Sequence, residues 1–421
     1  MNKFNKFAAA AAAFALTAAS ASCGAPEAIT IGKGAQTALT VDGYEVPAGV
    51  FIYNELYAYN TAAYELYGQN GAMPTVDDVK NHQFESMDAT DWIQDKATEN
   101  CLDFVASEKE FEKIGGELTS DELAEIKSFV ESNSAQAMFA DNGVGAESLT
   151  KIMTNNYKRE AIFKHYYGLD SEKGCTEDEL KQYYQDKTTR IKYFSIRMVD
   201  DNGDAFGADE KRRLEKMADE YVEIINSKSS NNEKLKAIDK CEKEYTEYVE
   251  KRTAEAEAKA AEEAGETTTT TTTVTTTSGT TTTTTTDPYE NEITVTKRTT
   301  TTVDPNASKD VTTTTVSPEA QASEKAYNDY NDYIFEKLGL YKAEKYQYDE
   351  NTVYIVIKAD IKDRMNPGDL WTESNIESLL SERYYDEFED MMKSITKSYV
   401  PEKNSSAYRK FSPFKLNLSS M

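Results

Sequence analysis

Histidine, the side chain most often used for acid–base catalysis and for binding transition metals, is rare in this chain. Its 421 residues include two histidines, His82 and His165, whose spacing is not that of a zinc site. The sequence contains no phosphate-binding loop and no nucleophile elbow. The acidic turn DDNGD at 200–204 carries the carboxylates that calcium prefers, but Lys211 stands where a calcium loop has its bidentate glutamate. We therefore predict no metal and no cofactor.

The four cysteines divide into one near the N-terminus and three within the body of the chain. Cys101, Cys175 and Cys241 are separated by intervals that match no metal motif, and three thiols cannot all pair with one another. The sequence thus implies no disulfide framework. We interpret these three residues as small apolar core residues.

Tyrosine is abundant in this sequence, with 27 copies, and is the side chain best suited to binding. Tyr53, Tyr57, Tyr64 and Tyr67 follow one broad stripe of a predicted helix. A tyrosine ring gives a large contact area at a small cost in side-chain entropy, and its hydroxyl tolerates wet contacts. These four are our candidate contacts for unfolded polypeptide, and packing within a helical domain is the alternative.

The charge balance limits the partners of the chain. It carries 74 acidic and 47 basic residues, which gives a formal net charge of −27. Nucleic-acid binding needs clustered lysine and arginine to neutralise phosphates, so we predict no nucleic-acid partner. A strongly acidic surface favours solubility instead.

A helix followed by a strand organises the middle of the chain. Thr176 and Glu179 form a capping-box pattern at the start of the helix. Side-chain types then alternate from Arg190 to Val199, which predicts a strand that ends at the Asn202-Gly203 turn. The segment NTVYIVIKADI at 351–361 predicts a second strand.

The segment TEDELKQYYQD at 176–186 resembles the T-x-E-E-(L/I)-x-x-Y-Y-x-D segment that leads into the parvulin domain of exported foldases of the PrsA and SurA type. In that family the next strand, K-x-R-H-I-L, and the final strand, G-Y-H-I-I-x-V, each carry a histidine of the prolyl isomerase site. Tyr193 and Tyr354 stand at those two positions here, and the family's glycine-rich G-G-D-L-G segment is absent. The resemblance implies a degenerate parvulin-like domain over 188–362 with little or no isomerase activity. In it, Tyr193 and Tyr354 are expected to fill the core, with a hydrogen bond between them as the alternative.

The same resemblance extends to both flanks of that domain. VDGYEVP at 41–47 resembles the V-N-G-x-x-(I/V)-(T/P) opening of the family's helical N-terminal domain. This implies a helical chaperone domain over 41–175. Within it, the spacing of apolar residues over 76–114 predicts a second long amphipathic helix. In the family the C-terminal helix, here 370–397, packs on that domain, which leaves 398–421 as a tail.

The composition changes abruptly within the degenerate domain. Threonine dominates residues 266–318, and we expect this insertion to be disordered because it has almost nothing to bury. The predicted fold class is α+β. A mainly helical N-terminal domain is completed by the C-terminal helix, and a small parvulin-like α/β domain, interrupted by the threonine-rich tract, is inserted between them.

The first residues are typical of an export signal. Lys3 and Lys6 precede a short apolar run, and 1–22 is the predicted signal peptide. SASCG at 20–24 resembles a bacterial lipobox, although Ser20 departs from the usual leucine. That resemblance implies lipidation of Cys23, a tether over 23–40 and anchorage to the outer face of the cell membrane. Secretion without an anchor is the alternative.

These features predict a membrane-anchored extracytoplasmic chaperone that binds unfolded exported polypeptides. An active prolyl isomerase of the parvulin class is the enzymatic alternative. A non-catalytic surface lipoprotein that docks one fixed partner is the third hypothesis. The sequence leaves open the identity of the clients, the formation of a homodimer and the glycosylation of the threonine-rich tract.

Overall fold

A computed structural model gives the fold of residues 31, 34–200, 202–263, 287–298 and 318–418. The predicted signal peptide, Cys23 and residues 266–286 and 299–317 of the threonine-rich insertion lie outside the described residues. The described chain is α+β, as predicted. It forms two compact units. The first combines the described chain before Gln182 with the chain after Trp371, and the second lies between those two residues.

Helices account for most of the secondary structure in the described chain. They are α1 (Ala48–Asn70), α2 (Val76–Lys80), α3 (Ala89–Lys113), α4 (Ser120–Asn133), α5 (Ala137–Ala140), α6 (Ala146–Tyr167), α7 (Glu177–Lys187), α8 (Ala208–Asn226), α9 (Asn231–Glu263), α10 (Pro318–Glu336), α11 (Glu373–Thr396) and α12 (Ser405–Lys410). The strands are β1 (Thr37–Val41), β2 (Tyr44–Pro47), β3 (Gln83–Phe84), β4 (Met87–Asp88), β5 (Thr188–Arg197), β6 (Ile293–Thr296), β7 (Glu344–Asp349), β8 (Thr352–Ala359) and β9 (Pro401–Lys403). The predicted capping box is confirmed. The Thr176 hydroxyl accepts from the Glu179 N–H, and the Thr176 N–H donates to the Glu179 carboxylate.

The core of the first unit forms where α3 packs against α1 and α6. Its buried residues recur at helical spacing on the facing sides of these helices, as an amphipathic helix requires. Phe51, Leu56, Ile93, Val105 and Ile152 are among them. Burying such side chains removes apolar surface from water and stabilises the unit.

Helix α11 lies against α3 and α6. Phe388 on α11 has no exposed surface, and its ring centroid lies 5.4 Å from that of Phe163. One residue on, Glu389 Oε1 pairs with Arg159 Nη2 at 2.6 Å. These contacts agree with the prediction that the segment 370–397 packs on the N-terminal helices.

A three-stranded sheet in the order β2-β1-β9 joins the two ends of the first unit. In it, Leu39 on β1 stands opposite Lys403 on β9. The predicted tether over 23–40 is therefore wrong from Thr37 onward, and the predicted tail over 398–421 is wrong for 401–418, where Phe411 is buried. Both segments are short and carry no periodic signal of their own, since each is ordered by pairing with the opposite end of the chain.

The predicted long helix over 76–114 is wrong in its first third. A capping box between Thr75 and Asp78 starts the short helix α2, and the chain then passes through the β3-β4 hairpin before α3 begins. Glu85 and Ser86 at the tip have positive φ angles of 51° and 68°. A tight two-residue hairpin needs such left-handed values, which glycine or asparagine usually supplies. Because neither residue is present at the tip, the sequence shows no signal for the turn.

Glu55 on α1 is completely buried. Its Oε1 accepts a hydrogen bond of 3.2 Å from Gln94 Nε2, whereas Oε2 has no partner among the described residues. Burial raises the pKa of Glu55 well above its ordinary value, and the hydrogen bond from Gln94 offsets this in part. The carboxyl therefore keeps its proton in the folded state at pH values at which it ionises in the unfolded chain.

Glutamine at position 55 will remove a pH dependence from the stability of the first unit. Because the pKa of Glu55 is raised on folding, wild-type stability falls as the pH rises from the unfolded value, near 4.5, to the folded one. We expect the stability of Glu55→Gln relative to wild type to grow by about 1.4 kcal/mol per pH unit in that window. Denaturant unfolding followed by Trp92 fluorescence in a Trp371→Phe background measures this difference. Glu147→Gln, at an exposed position on α6, is the control, and equal pH slopes for wild type and Glu55→Gln would contradict the prediction.

The second unit contains a four-stranded antiparallel sheet in the order β6-β5-β8-β7. The two strands predicted within 190–199 and 351–361 are both present and form its central pair, with Tyr193 opposite Val356. Successive side chains of a strand point to opposite faces. Helices α8 and α9 cover the face that carries Phe194 and Ile196, and α10 covers part of the other face.

Part of the insertion predicted to be disordered, residues 287–298, has a defined structure. It contains β6, in which Ile293 stands opposite Ile191 on β5. The sequence DPYENEITVTKR interrupts the threonine run at this point, and both Tyr289 and Glu292 contact the buried side chain of Arg190. Disorder is the wrong prediction for this stretch because these contacts offset the entropy lost on ordering.

Candidate functional site

Tyr193 and Tyr354 lie on the sheet face that α10 covers in part. They belong to neighbouring strands, since Tyr354 stands opposite Ser195, two residues from Tyr193. Their ring centroids are 5.0 Å apart at an interplanar angle of 55°. Tyr193 is 40% exposed, so the prediction that it fills the core is wrong.

Three further tyrosines complete an aromatic cluster around this pair. Tyr330 on α10 lies 5.1 Å from Tyr354 and 6.3 Å from Tyr193, and Tyr348 on β7 stacks on Tyr354 at 4.6 Å. Tyr346 on β7 lies 5.0 Å from Tyr330. The pattern Tyr-Gln-Tyr at 346–348 is a period-two signal, but it was too short to predict β7 from sequence.

The rings of Tyr193, Tyr330, Tyr348 and Tyr354 border one open cavity of about 450 Å³ in the second unit, which we call the tyrosine basin. The basin is lined by Ile191, Tyr193, Ile293, Thr294, Val295, Thr296, Tyr327, Tyr330, Asn331, Ile334, Tyr348 and Tyr354. None of these described lining residues is charged. The basin therefore offers aromatic faces, methyl groups, hydroxyls and one amide.

At neutral pH the phenols of Tyr354 and Tyr330 keep their protons, because both pKa values are raised above the ordinary value of a phenol. Burial raises the pKa of Tyr354 to about 12, and the neighbouring Tyr348 and Tyr193 contribute to the rise. The pKa of Tyr330 is raised further, mainly by burial. Tyr330 is only 7% exposed, and its hydroxyl has no hydrogen-bond partner among the described residues. A buried polar group without a partner costs free energy, so an acceptor supplied by a ligand would be favoured there.

Neither histidine belongs to the basin. His82 lies 4.7 Å from the ring of Phe84 and His165 lies 4.8 Å from the ring of Tyr166, both within the first unit. Across the described ranges, no group of three or more histidine, cysteine or acidic side chains is arranged to hold a metal ion. The interpretation of Cys101, Cys175 and Cys241 as core residues agrees with their burial as free thiols.

The four candidate tyrosines of α1 do not share one environment. Tyr53 packs in the domain, with its ring stacked on Phe139 at 6.1 Å, whereas Tyr57, Tyr64 and Tyr67 are 37%, 59% and 44% exposed. Tyr53 and Tyr57 line a second open cavity of about 230 Å³ in the first unit, which Tyr64 and Tyr67 do not reach. The predicted stripe therefore divides into a packed residue and three that face solvent.

The lining of this second cavity is polar. The ion pair between Arg159 and Glu389 borders it, as does Asn155, whose Nδ2 donates to the Phe104 C=O at 2.8 Å. Burial raises the pKa of Asp103, and the charge of Arg159 offsets part of that rise. Several polar groups of this cavity are thus already engaged with one another, which distinguishes it from the tyrosine basin.

Comparison of the chain with protein-family models, with curated proteins and with solved structures finds no match. Function must therefore be argued from the chemistry of the sites. Within the described residues, every helix is too short or too polar to cross a membrane.

Proposed function

We propose that this chain is an extracytoplasmic chaperone of the PrsA and SurA type that binds unfolded exported polypeptides. A lipidated Cys23 would hold it at the outer face of the cell membrane. In this proposal the second unit is a parvulin-like module that has kept a binding surface and lost isomerase chemistry. The observation that carries the proposal is the tyrosine basin, an open and uncharged aromatic cavity built around the two positions at which the family has histidine.

The chemistry of the basin suits a variable polypeptide better than a single small ligand. Aromatic faces bind aliphatic, aromatic and prolyl groups alike, and tyrosine loses little side-chain entropy when it does so. The basin has no charged lining residue that would select one partner by charge. The exposed rings of Tyr57, Tyr64 and Tyr67 give the first unit a surface of similar chemistry.

The same residues disfavour the isomerase alternative. Rotation about a peptide bond has a barrier of about 18–20 kcal/mol, which an isomerase must lower. The resemblance places a histidine pair where Tyr193 and Tyr354 stand, and an imidazole titrates near neutral pH whereas a phenol does not. We therefore expect binding of unfolded chains without acceleration of prolyl isomerisation.

Tyr193→Ala will weaken the binding of unfolded clients by about five- to thirty-fold, the equivalent of 1–2 kcal/mol. Because Tyr193 is 40% exposed, its truncation removes contact area without opening the core. The measurement is the affinity for several unrelated, dye-labelled unfolded proteins, together with suppression of their aggregation. Ile224→Ala is a matched control, since Ile224 is 41% exposed in the same unit but does not line the basin.

Each alternative has a distinct signature in these assays. Faster proline-limited refolding at substoichiometric protein would identify an active isomerase. Failure of the wild type to bind several unrelated unfolded clients would favour a lipoprotein that docks one partner. Equal effects of Tyr193→Ala and Ile224→Ala would move client binding away from the basin.

A further inference from the structure

Strand β6, the outer strand of the described sheet in the second unit, presents main-chain groups beside the tyrosine basin. The N–H of Lys297 donates to the C=O of Lys187 at 2.6 Å, so these two residues form a hydrogen-bonded pair across β5 and β6. Bonded and non-bonded pairs alternate along an antiparallel ladder. Counting back from Lys297, Thr296 and Thr294 therefore direct their N–H and C=O groups away from β5.

A side-chain amide already occupies part of this outer edge. Asn331 on α10 is 2% exposed, and its Nδ2 donates to the Thr296 C=O while its Oδ1 accepts from the Arg298 N–H, both at 3.0 Å. The amide of asparagine has the same donor and acceptor groups as a peptide bond. The outer edge of β6 thus accepts an amide partner. The next outward-facing residue, Thr294, pairs through its N–H and C=O with no described residue.

The side chains of β6 connect this edge to the basin. Val295 packs against the cluster that contains Ile191 and Tyr330, and both Val295 and Ile293 line the basin. In a strand added outside β6, every second side chain would fall on this face of the sheet. Apolar side chains are favoured there, because the described lining of the basin carries no charge.

We propose that an extended, uncharged segment of an unfolded polypeptide adds to the sheet along β6. Its main chain hydrogen-bonds to Thr294, and its alternate apolar side chains enter the tyrosine basin. This inference rests on the proposed function and adds the form in which the client is recognised. A row of unpaired main-chain groups is a template for another strand, and in strand addition the main chain supplies affinity whatever the sequence. An unfolded client has the free extended backbone that this mode requires.

N-methylation of alternate residues in a probe peptide tests the direction of the hydrogen bonds. The probe is a short, dye-labelled peptide of alternating valine and serine, and its affinity is measured by fluorescence anisotropy. In an added strand only every second N–H faces β6, so methylating that set will weaken binding roughly ten-fold or more. Methylating the other set will leave the affinity nearly unchanged. Equal losses from both sets, or no loss from either, would overturn strand addition.

Substitution and amide exchange test the same edge on the protein side. Thr294→Pro removes the outward N–H at a position where an edge strand tolerates proline, and Thr294→Val keeps the N–H as the matched control. Because valine keeps the N–H and changes only the side chain, we expect Thr294→Pro to weaken probe binding more than Thr294→Val does. In the wild type, bound probe will slow hydrogen exchange at the amides of Thr294 and Thr296.

The outcomes separate this inference from the proposed function. Strand addition would be overturned if clients still bind Thr294→Pro and if, in the wild type, bound probe does not slow exchange at Thr294 and Thr296. The chaperone proposal would then remain intact. A wild type that binds no unfolded client would overturn both. Slow exchange at the amides of Thr294 and Thr296 before the probe is added would also overturn strand addition. The edge would then belong to another part of this chain or, if the protection depends on protein concentration, to a second copy.

Discussion

Replacing Glu292 with glutamine will lower the free energy of unfolding of the second unit by about 3–5 kcal/mol. The side chain of Glu292 is 1% exposed, and its Oε2 accepts from Arg190 Nη1 at 3.0 Å and from Arg364 Nη1 at 2.9 Å. The side chain of Arg190 has no exposed surface. Without the carboxylate its charge would remain buried, with Asp363 at 3.5 Å as the nearest acidic group in the network.

The loss of the Glu292 carboxylate will also weaken the packing of β6, which lines the tyrosine basin. The ring of Tyr289 lies 5.3 Å from the Arg190 guanidinium and 4.9 Å from that of Arg364, so the same network holds the segment that precedes β6. Cation–π contacts of this kind add to the ion pairs when they are shielded from water. Weakening the network therefore loosens the segment that leads into β6.

The two tryptophans of the chain allow each unit to be followed separately. Trp92 lies in the first unit and Trp371 in the second, so a Trp92→Phe background reports denaturant unfolding of the second unit alone. Glu255→Gln on α9 is the control, because Glu255 is 70% exposed and pairs only loosely with Lys251 at 3.8 Å. We expect that substitution to change stability by less than about 0.5 kcal/mol. A loss in Glu292→Gln no larger than this would contradict the structural role given to the buried network.

Local sequence patterns were sufficient to predict the elements whose partners lie nearby in the chain or whose periodic pattern extends over many residues. The capping box of Thr176 and Glu179 needs only a spacing of three residues. The strands within 190–199 and 351–361 combine alternation with many β-branched and aromatic residues, which fit a pleated surface. The family resemblance then identified Tyr193 and Tyr354 as residues of interest, and the register of β5 and β8 places them side by side.

The elements that were not predicted from the sequence are ordered by contacts between distant segments of the chain. Strand β6 is ordered by the carboxylate of Glu292, whose partners Arg190 and Arg364 lie far from it in the chain. Strands β1 and β9 pair across nearly the whole sequence. In such short strands, pairing and burial of the few side chains present outweigh local propensity, so no window of sequence contains the deciding information.

The candidate site was therefore only half predictable. Its two central tyrosines follow from the resemblance, but the basin exists because Tyr330 and Tyr348 reach the same sheet face from α10 and β7. Which face a strand of alternating residues turns toward a helix depends on its register. That register is a property of the sheet, and it could not be read from the KYQYD segment of β7 alone.

Phe388→Ala will lower the free energy of unfolding of the first unit by about 3–5 kcal/mol, because it deletes a fully buried ring that its surroundings only partly refill. The ring meets Phe163 edge-on at 5.4 Å and lies 5.0 Å from the guanidinium carbon of Arg159. Alanine would remove both contacts together with the apolar area that Phe388 buries between α11 and α6.

The test is denaturant unfolding followed by Trp92 fluorescence in a Trp371→Phe background. Glu387→Ala, one residue earlier on the exposed side of α11, is the control and will change stability by less than about 0.5 kcal/mol. Phe388→Leu, which keeps most of the volume, will fall between the two, since hydrophobic substitutions that conserve volume usually cost less than about 1.5 kcal/mol. If Phe388→Ala matched Glu387→Ala instead, α11 would not be part of the helical core, and a first unit assembled from both ends of the chain would be untenable.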